Sequence, residues 1–192
     1  MISYLALLDV CKQINDNDRF KKQQRNVSVI QDIDGNNIVV INDFRFKGKR
    51  SIDWKEVRAY LKKYVGDFYK VVSTGDVIYI GDDLPSEYSG SKYTHSIKGT
   101  NAKANAVQGI SEMIEIAVGK HFRENKESKH WRNAMYGWYR YDSRFAIPVY
   151  RDDEEVERYN IFHASLIVRY SEDGKLYLYD VIDIKKRNEQ PD

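Results

Sequence analysis

"FHASLIVRYSEDGKLYLYDVIDIKK", residues 162–186, reads as two β-strands joined near Asp173-Gly174. Successive side chains of a strand point to opposite faces. Even positions of the first run are Phe162, Ala164, Leu166, Val168 and Tyr170, which suit a core. Odd positions are Ile161, His163, Ser165, Ile167 and Arg169, a set that packing alone does not select. In the second run Leu176, Leu178, Ile182 and Ile184 suit the core, leaving Tyr177, Tyr179, Asp183 and Lys185 opposite. A two-residue Asp173-Gly174 loop would set polar positions against apolar ones. A three-residue loop, Glu172-Asp173-Gly174 with Gly174 left-handed, pairs odd with odd. That register predicts Arg169 opposite Tyr177 and His163 opposite Asp183. Asp180 alone breaks the pattern, falling on the core side.

Upstream, "WYRYDSRFAIPVY" (138–150) predicts a strand with Tyr139, Tyr141, Phe145, Ile147 and Val149 inward. Arg140 and Arg144 then share the outer face with His163, and Pro148 predicts an edge or a bulge. "VSVIQDIDGNNIVVIND" is a hairpin around Asp34-Gly35. "DWKEVRAYLKKYVG" is a helix capped by Asp53, with Trp54, Val57, Leu61 and Tyr64 on one stripe and Gly66 as its stop. "FYKVVSTGDVIYIG" is a second hairpin, and "LPSEYSGSKYTHSIKGT" reads as a loop. "NAKANAVQGISEMIEIAVGKHF" reads as a helix broken near Gly109, with Val107, Ile110, Ile114 and Ala117 on the core side. Residues 1–15 predict a further helix, "NDNDRFKKQQRN" a loop, and "RENKESKH" a connector into a short helix through "WRNAMYG". Helices and strands segregate, so the class is α+β with an antiparallel C-terminal sheet.

The chain has 192 residues, 42% hydrophobic and 31% charged, enough for one domain with a real core. The net charge of +2 imposes no general affinity for polyanions, but the charge is uneven. Residues 92–151 carry 11 basic and 5 acidic side chains and three of the four histidines, whereas residues 152–192 carry 6 and 11. The basic third reads either as a solvated face or as a surface for nucleic acid. Cys11 is the one cysteine, so no intramolecular disulfide forms, which fits a reducing, cytoplasmic setting. No apolar run approaches the ~20 residues of a spanning helix, so no membrane partner is expected.

A polar face on a strand is also what solvent exposure alone would produce. Yet an imidazole opposite a carboxylate, beside a guanidinium and phenols, is a set that can cleave a phosphodiester without a metal. A base takes the 2′-hydroxyl proton, an acid protonates the leaving 5′-oxygen, and cations hold the crowded phosphorane. His130 follows Lys129 and precedes a helical stretch, which lets it project over the sheet. There is no Cys-x-x-Cys, His-Glu-x-x-His or EF-hand spacing and no phosphate-binding loop, so neither a metal nor another cofactor is predicted.

From "DVIYIGDDLPSEYSGSKYT" through "AKANAVQGISEMIEIA", "KHWRNAMYGWYRYDSRFAIPVY", "FHASLIVR" and "DGKLYLYDVIDIKK", the chain resembles a domain of large phage and mobile-element polyvalent proteins. The resemblance covers about residues 53–187, with residues 1–52 as an N-terminal extension and 188–192 as a polar tail. Such domains are grouped with the barnase, EndoU, colicin and RelE ribonuclease superfamily. The resemblance implies helices packed on a four-stranded antiparallel sheet, and RNA cleavage without metal. The matching positions are His130, Arg140, His163 and Tyr179. The expected catalytic set is therefore His130, His163, Arg140, Arg169 and Tyr179, with Lys92, Thr94, Lys129, Arg144 and Lys185 holding RNA. The alternative is a non-catalytic RNA- or protein-binding module, such as an inhibitor of host defence that meets a host or immunity protein.

Overall fold

The computed structural model describes residues 27–47, 52–124, 134–151 and 155–187. Its centre is the antiparallel set predicted by alternation: β6 (Trp138–Tyr150), β7 (Val156–Tyr170) and β8 (Leu176–Lys186). Tyr141, Phe145, Ile147, Ala164, Leu166 and Val168 are buried on one face, as their parity requires. The β7–β8 loop is the three-residue one. Ser171 N donates to Lys175 O, Gly174 takes φ 75°, and Arg169 pairs with Tyr177. Pro148 directly precedes a register shift at Val149/Tyr150.

The sheet is larger than four strands and is mixed. The N-terminal hairpin β1 (Val27–Gln31) and β2 (Asn37–Ile41) attaches through a parallel β2–β6 pairing. The hairpin β3 (Phe68–Lys70) and β4 (Val77–Tyr79) attaches through a parallel β4–β8 pairing. The strand order is β1-β2-β6-β7-β8-β4-β3, and β5 (Val118–Arg123) pairs with β6 beside β2. The result is a curled half-barrel in which Val39 and Ile41 share one core with Val57, Ile110, Leu166 and Val181.

Three helical segments cover the core face. The first, α1 (Trp54–Leu61), is capped by Asp53, which accepts from Lys55 N and Glu56 N, and it continues as a 3₁₀ turn to Tyr64. The second, α2 (Leu84–Gly90) with α3 (Lys92–Ser96), occupies the stretch read as a loop. Its Ser and Gly content hid two start signals, Pro85 in a first turn and Ser91 capping Thr94 N. The third is α4 (Thr100–Ala106), a 3₁₀ turn at Val107–Gly109, and α5 (Ile110–Glu115). The break at Gly109 has a packing cause, because a Cβ there would lie 2.8 Å from Val39 Cγ1. The helix does not run on through "VGKHF", which forms β5.

Two irregularities in β8 correct the register away from the turn. Val168 faces Leu178 but Ile167 faces Asp180, so Tyr179 is an extra residue. Ser165 then faces Ile182 while His163 faces Lys185, not Asp183, so a second bulge falls at Asp183. The first bulge turns Val181 rather than Ile182 into the core and settles Asp180. The Asp180 carboxylate is buried against Lys103 Nζ at 2.7 Å and also accepts from Ser91 and Val181 N. Among the described residues no helix is long and apolar enough to cross a membrane.

Candidate functional site on the outer sheet face

The outer face follows from parity along three strands. Arg140, Asp142 and Arg144 of β6 lie opposite Ile167, Ser165 and His163 of β7. His163 in turn faces Lys185 of β8. The imidazole therefore stands between a guanidinium-bearing and an ammonium-bearing position. A cleft of ≈ 340 Å³ opens here, lined among others by Asn36, Asp142, Arg144, His163, Ser165 and Asp183. The turn of the β1–β2 hairpin forms one of its walls.

His163 is exposed, and no hydrogen bond from a described residue holds its ring. Partial desolvation pushes its pKa below the ordinary value, and the Arg144 and Arg187 charges push it further, against a smaller opposite effect of Asp142. The resting ring is neutral near pH 7, the form a general base requires.

Each arginine is steadied by a carboxylate from a distant part of the chain. Arg140 Nη1 lies 3.0 Å from Asp183 Oδ2. Asp183 has φ 52°, the one positive value among described non-glycine residues, and it occupies the second β8 bulge. Arg144 Nη1 lies 3.2 Å from Asp32 Oδ2, and Arg187 Nη1 lies 3.8 Å from the same oxygen. Hydrogen bonds from the Asn36 backbone and side chain and from Asp34 N hold the Asp32 pKa low. Across β5–β6, His121 faces Arg140, which adds a second histidine to this side of the sheet.

Of the residues singled out from the sequence, His163 and Arg144 line the cleft, Lys185 pairs with His163 across β7–β8, and Arg140 lies four residues back along β6. Arg169 and Tyr179 belong to a different cluster. Arg169 stands six residues along β7, roughly 20 Å from His163 in an extended chain. Its guanidinium meets Asp83 at 3.1 Å and Ser171 at 2.9 Å and lies over the Tyr177 ring. Tyr179 donates to Glu87 at 2.7 Å and packs edge-on against Trp138. Thr94 is fully buried and donates its hydroxyl to Tyr88 O, so its side chain is closed to any ligand at the surface. Lys92 is exposed on α3 and does not line the cleft. His130 and Lys129 lie outside the described residues, as do the predicted helix at 1–15, the loop after it and the tail at 188–192.

Sequence reasoning missed Asp32, Asp142 and Arg187. Asp142 was open to the same parity argument as Arg140 and Arg144. Asp32 and Arg187 were not, because a turn and a strand end carry no alternation. Among the described residues no three His, Cys, Asp or Glu side chains converge as a metal requires. Comparisons with family models, curated proteins and solved structures return no match.

Proposed function

We propose that the chain is a metal-independent endoribonuclease that uses the outer face of the sheet. The observation that carries this reading is His163, neutral and accessible, between Arg144 and Lys185 in an open cleft. In the proposed step the His163 ring takes the proton of a 2′-hydroxyl. The freed oxygen attacks the adjacent phosphorus, and the bond to the 5′-oxygen breaks with uptake of a proton delivered through water. Arg144 and Lys185 stabilise the charge that gathers on the phosphorane. The products are a 2′,3′-cyclic phosphate and a 5′-hydroxyl. Arg140, four residues along β6, contacts the chain further on. Arg169 and Tyr179, engaged with Asp83 and Glu87, have no part in this step.

A second reading rests on the ion pairs. Arg140 and Arg144 already hold Asp183 and Asp32, which suits a face that grips RNA or an acidic protein surface without chemistry. Incubation with RNA in excess EDTA separates the two. Cleavage with cyclic phosphate ends, lost in His163→Ala, supports the enzyme. Salt-sensitive RNA binding with intact RNA selects the binding module, and no RNA binding at low salt removes both RNA readings.

A further inference from the structure

Two arginines from distant elements converge on one oxygen. Arg144 comes from the middle of β6, and Arg187 follows the end of β8. The Arg187 backbone is fixed there, since its N–H donates to Ile161 O at 2.8 Å. Their charges repel, yet both guanidinium groups reach Asp32 Oδ2, at 3.2 and 3.8 Å. Asp32 itself cannot swing away. Its Oδ1 accepts from Asp34 N at 3.0 Å, Asn36 N at 2.8 Å and Asn36 Nδ2 at 3.1 Å, which ties the carboxylate to its own turn. Its side chain is only 10% exposed, while those of Arg144 and Arg187 are 29% and 46% exposed. The acid is thus the inner member of the group and the two cations are the outer ones. Each guanidinium carries five N–H donors, and a single contact to Asp32 leaves most donors of each fork for another partner.

We propose that Arg144 and Arg187 form a two-guanidinium clamp for a phosphate group, and that Asp32 is the positioning residue that draws them together. The clamp deepens the ribonuclease reading and rests on it for the identity of the substrate, a phosphodiester of RNA. Other groups facing His163 here are Asp142 on β6 and Asp183 and Lys185 on β8, so the clamp is the cationic side of a mixed site.

Asp32→Asn gives the idea a sign that simple electrostatics reverses. The amide oxygen still serves the turn as an acceptor, so the hairpin is retained, but the charge that gathers the arginines is gone. Removing a negative charge beside an anion site would by itself tighten anion binding. Loss of the clamp loosens it. With inorganic phosphate as probe, followed by NMR of the arginine Nε–H and His163 ring signals, Asp32→Asn and Arg187→Ala should each weaken binding about tenfold or more. The two effects should not add in the double variant, because they remove one device. Bound phosphate should also raise the His163 pKa in the wild type and do so less in Asp32→Asn. Unchanged or tighter binding in Asp32→Asn, additive losses, or no phosphate binding by the wild type would each overturn the clamp. Phosphate held as described by a protein that neither binds nor cleaves RNA would instead sink the ribonuclease reading and leave the clamp standing.

Discussion

Lys103 Nζ lies 2.7 Å from Asp180 Oδ1, and both side chains are closed off from solvent. The ammonium also rests against the rings of Tyr88 and Tyr93. Burial pushes the Asp180 pKa up and the Lys103 pKa down, each against the pull of its partner. Both shifts oppose the charged forms, so the pair costs desolvation that its attraction only partly repays. Lys103→Met alone should destabilise by about 3–5 kcal/mol, since it strands a buried carboxylate. Lys103→Met with Asp180→Leu should recover most of that loss. Urea unfolding of the three proteins checks this, and a double variant as unstable as the single one would contradict it.

The lowered His163 pKa fixes the direction of the pH profile. A base must be unprotonated, so cleavage should fall as pH drops through a value below the ordinary 6.5 and be level near pH 7. Arg144→Ala removes one depressing charge and should move that limb to higher pH. Single-turnover cleavage and an NMR titration of the ring should report the same midpoint. His163→Ala should slow cleavage by about 100-fold or more.

Asp183 pairs a left-handed backbone with an ion pair to Arg140. Asp183→Gly relieves the backbone, whereas Asp183→Ala keeps the strain and loses the carboxylate. Alanine should therefore be less stable than glycine by about 1 kcal/mol, the reverse of their order in a helix. Thermal melts of the two variants decide it, and equal midpoints would mean that the backbone relaxes without cost.

Gly109 is required by closeness. A methyl group there would stand 2.8 Å from Val39 Cγ1. Gly109→Ala should cost about 1–3 kcal/mol by overpacking. Adding Val39→Ala should return part of it, provided the clash is with that side chain. A fully tolerated Gly109→Ala would show that β2 and the 3₁₀ turn separate freely.

Much of the centre was legible because alternation is a local signal. The parity of β6 and β7 put Arg140, Arg144 and His163 on one face, and Gly174 gave the β7–β8 turn. Bulges defeat the same logic. An extra residue at Tyr179 reverses the side chains only until the second bulge at Asp183, so Val181 rather than Ile182 is buried while Ile184 returns to the core, and Asp180, the one acid on the core side of β8, was its visible trace. The parallel β2–β6 and β4–β8 pairings leave no local mark, since partners such as Val39 and Phe145 are far apart in the chain. The four antiparallel strands that the resemblance implied accordingly leave out both parallel attachments. The clamp was hidden for a related reason: Asp32 lies in a turn and Arg187 follows a strand, and only the closed sheet brings them together.

The two parallel pairings also dictate an order of events during synthesis. The hairpins β1–β2 and β3–β4 leave the ribosome early, yet the strands they dock on, β6 and β8, belong to the C-terminal third. Neither hairpin is stable alone in water, so each waits with its apolar edge unpaired until the tail of the sheet arrives. The chain must close these long loops before their contacts repay the lost entropy, which makes folding slow and late. A nascent chain halted after β7 would lack the strand to which β3–β4 attaches, and with it the whole β8 side of the cleft.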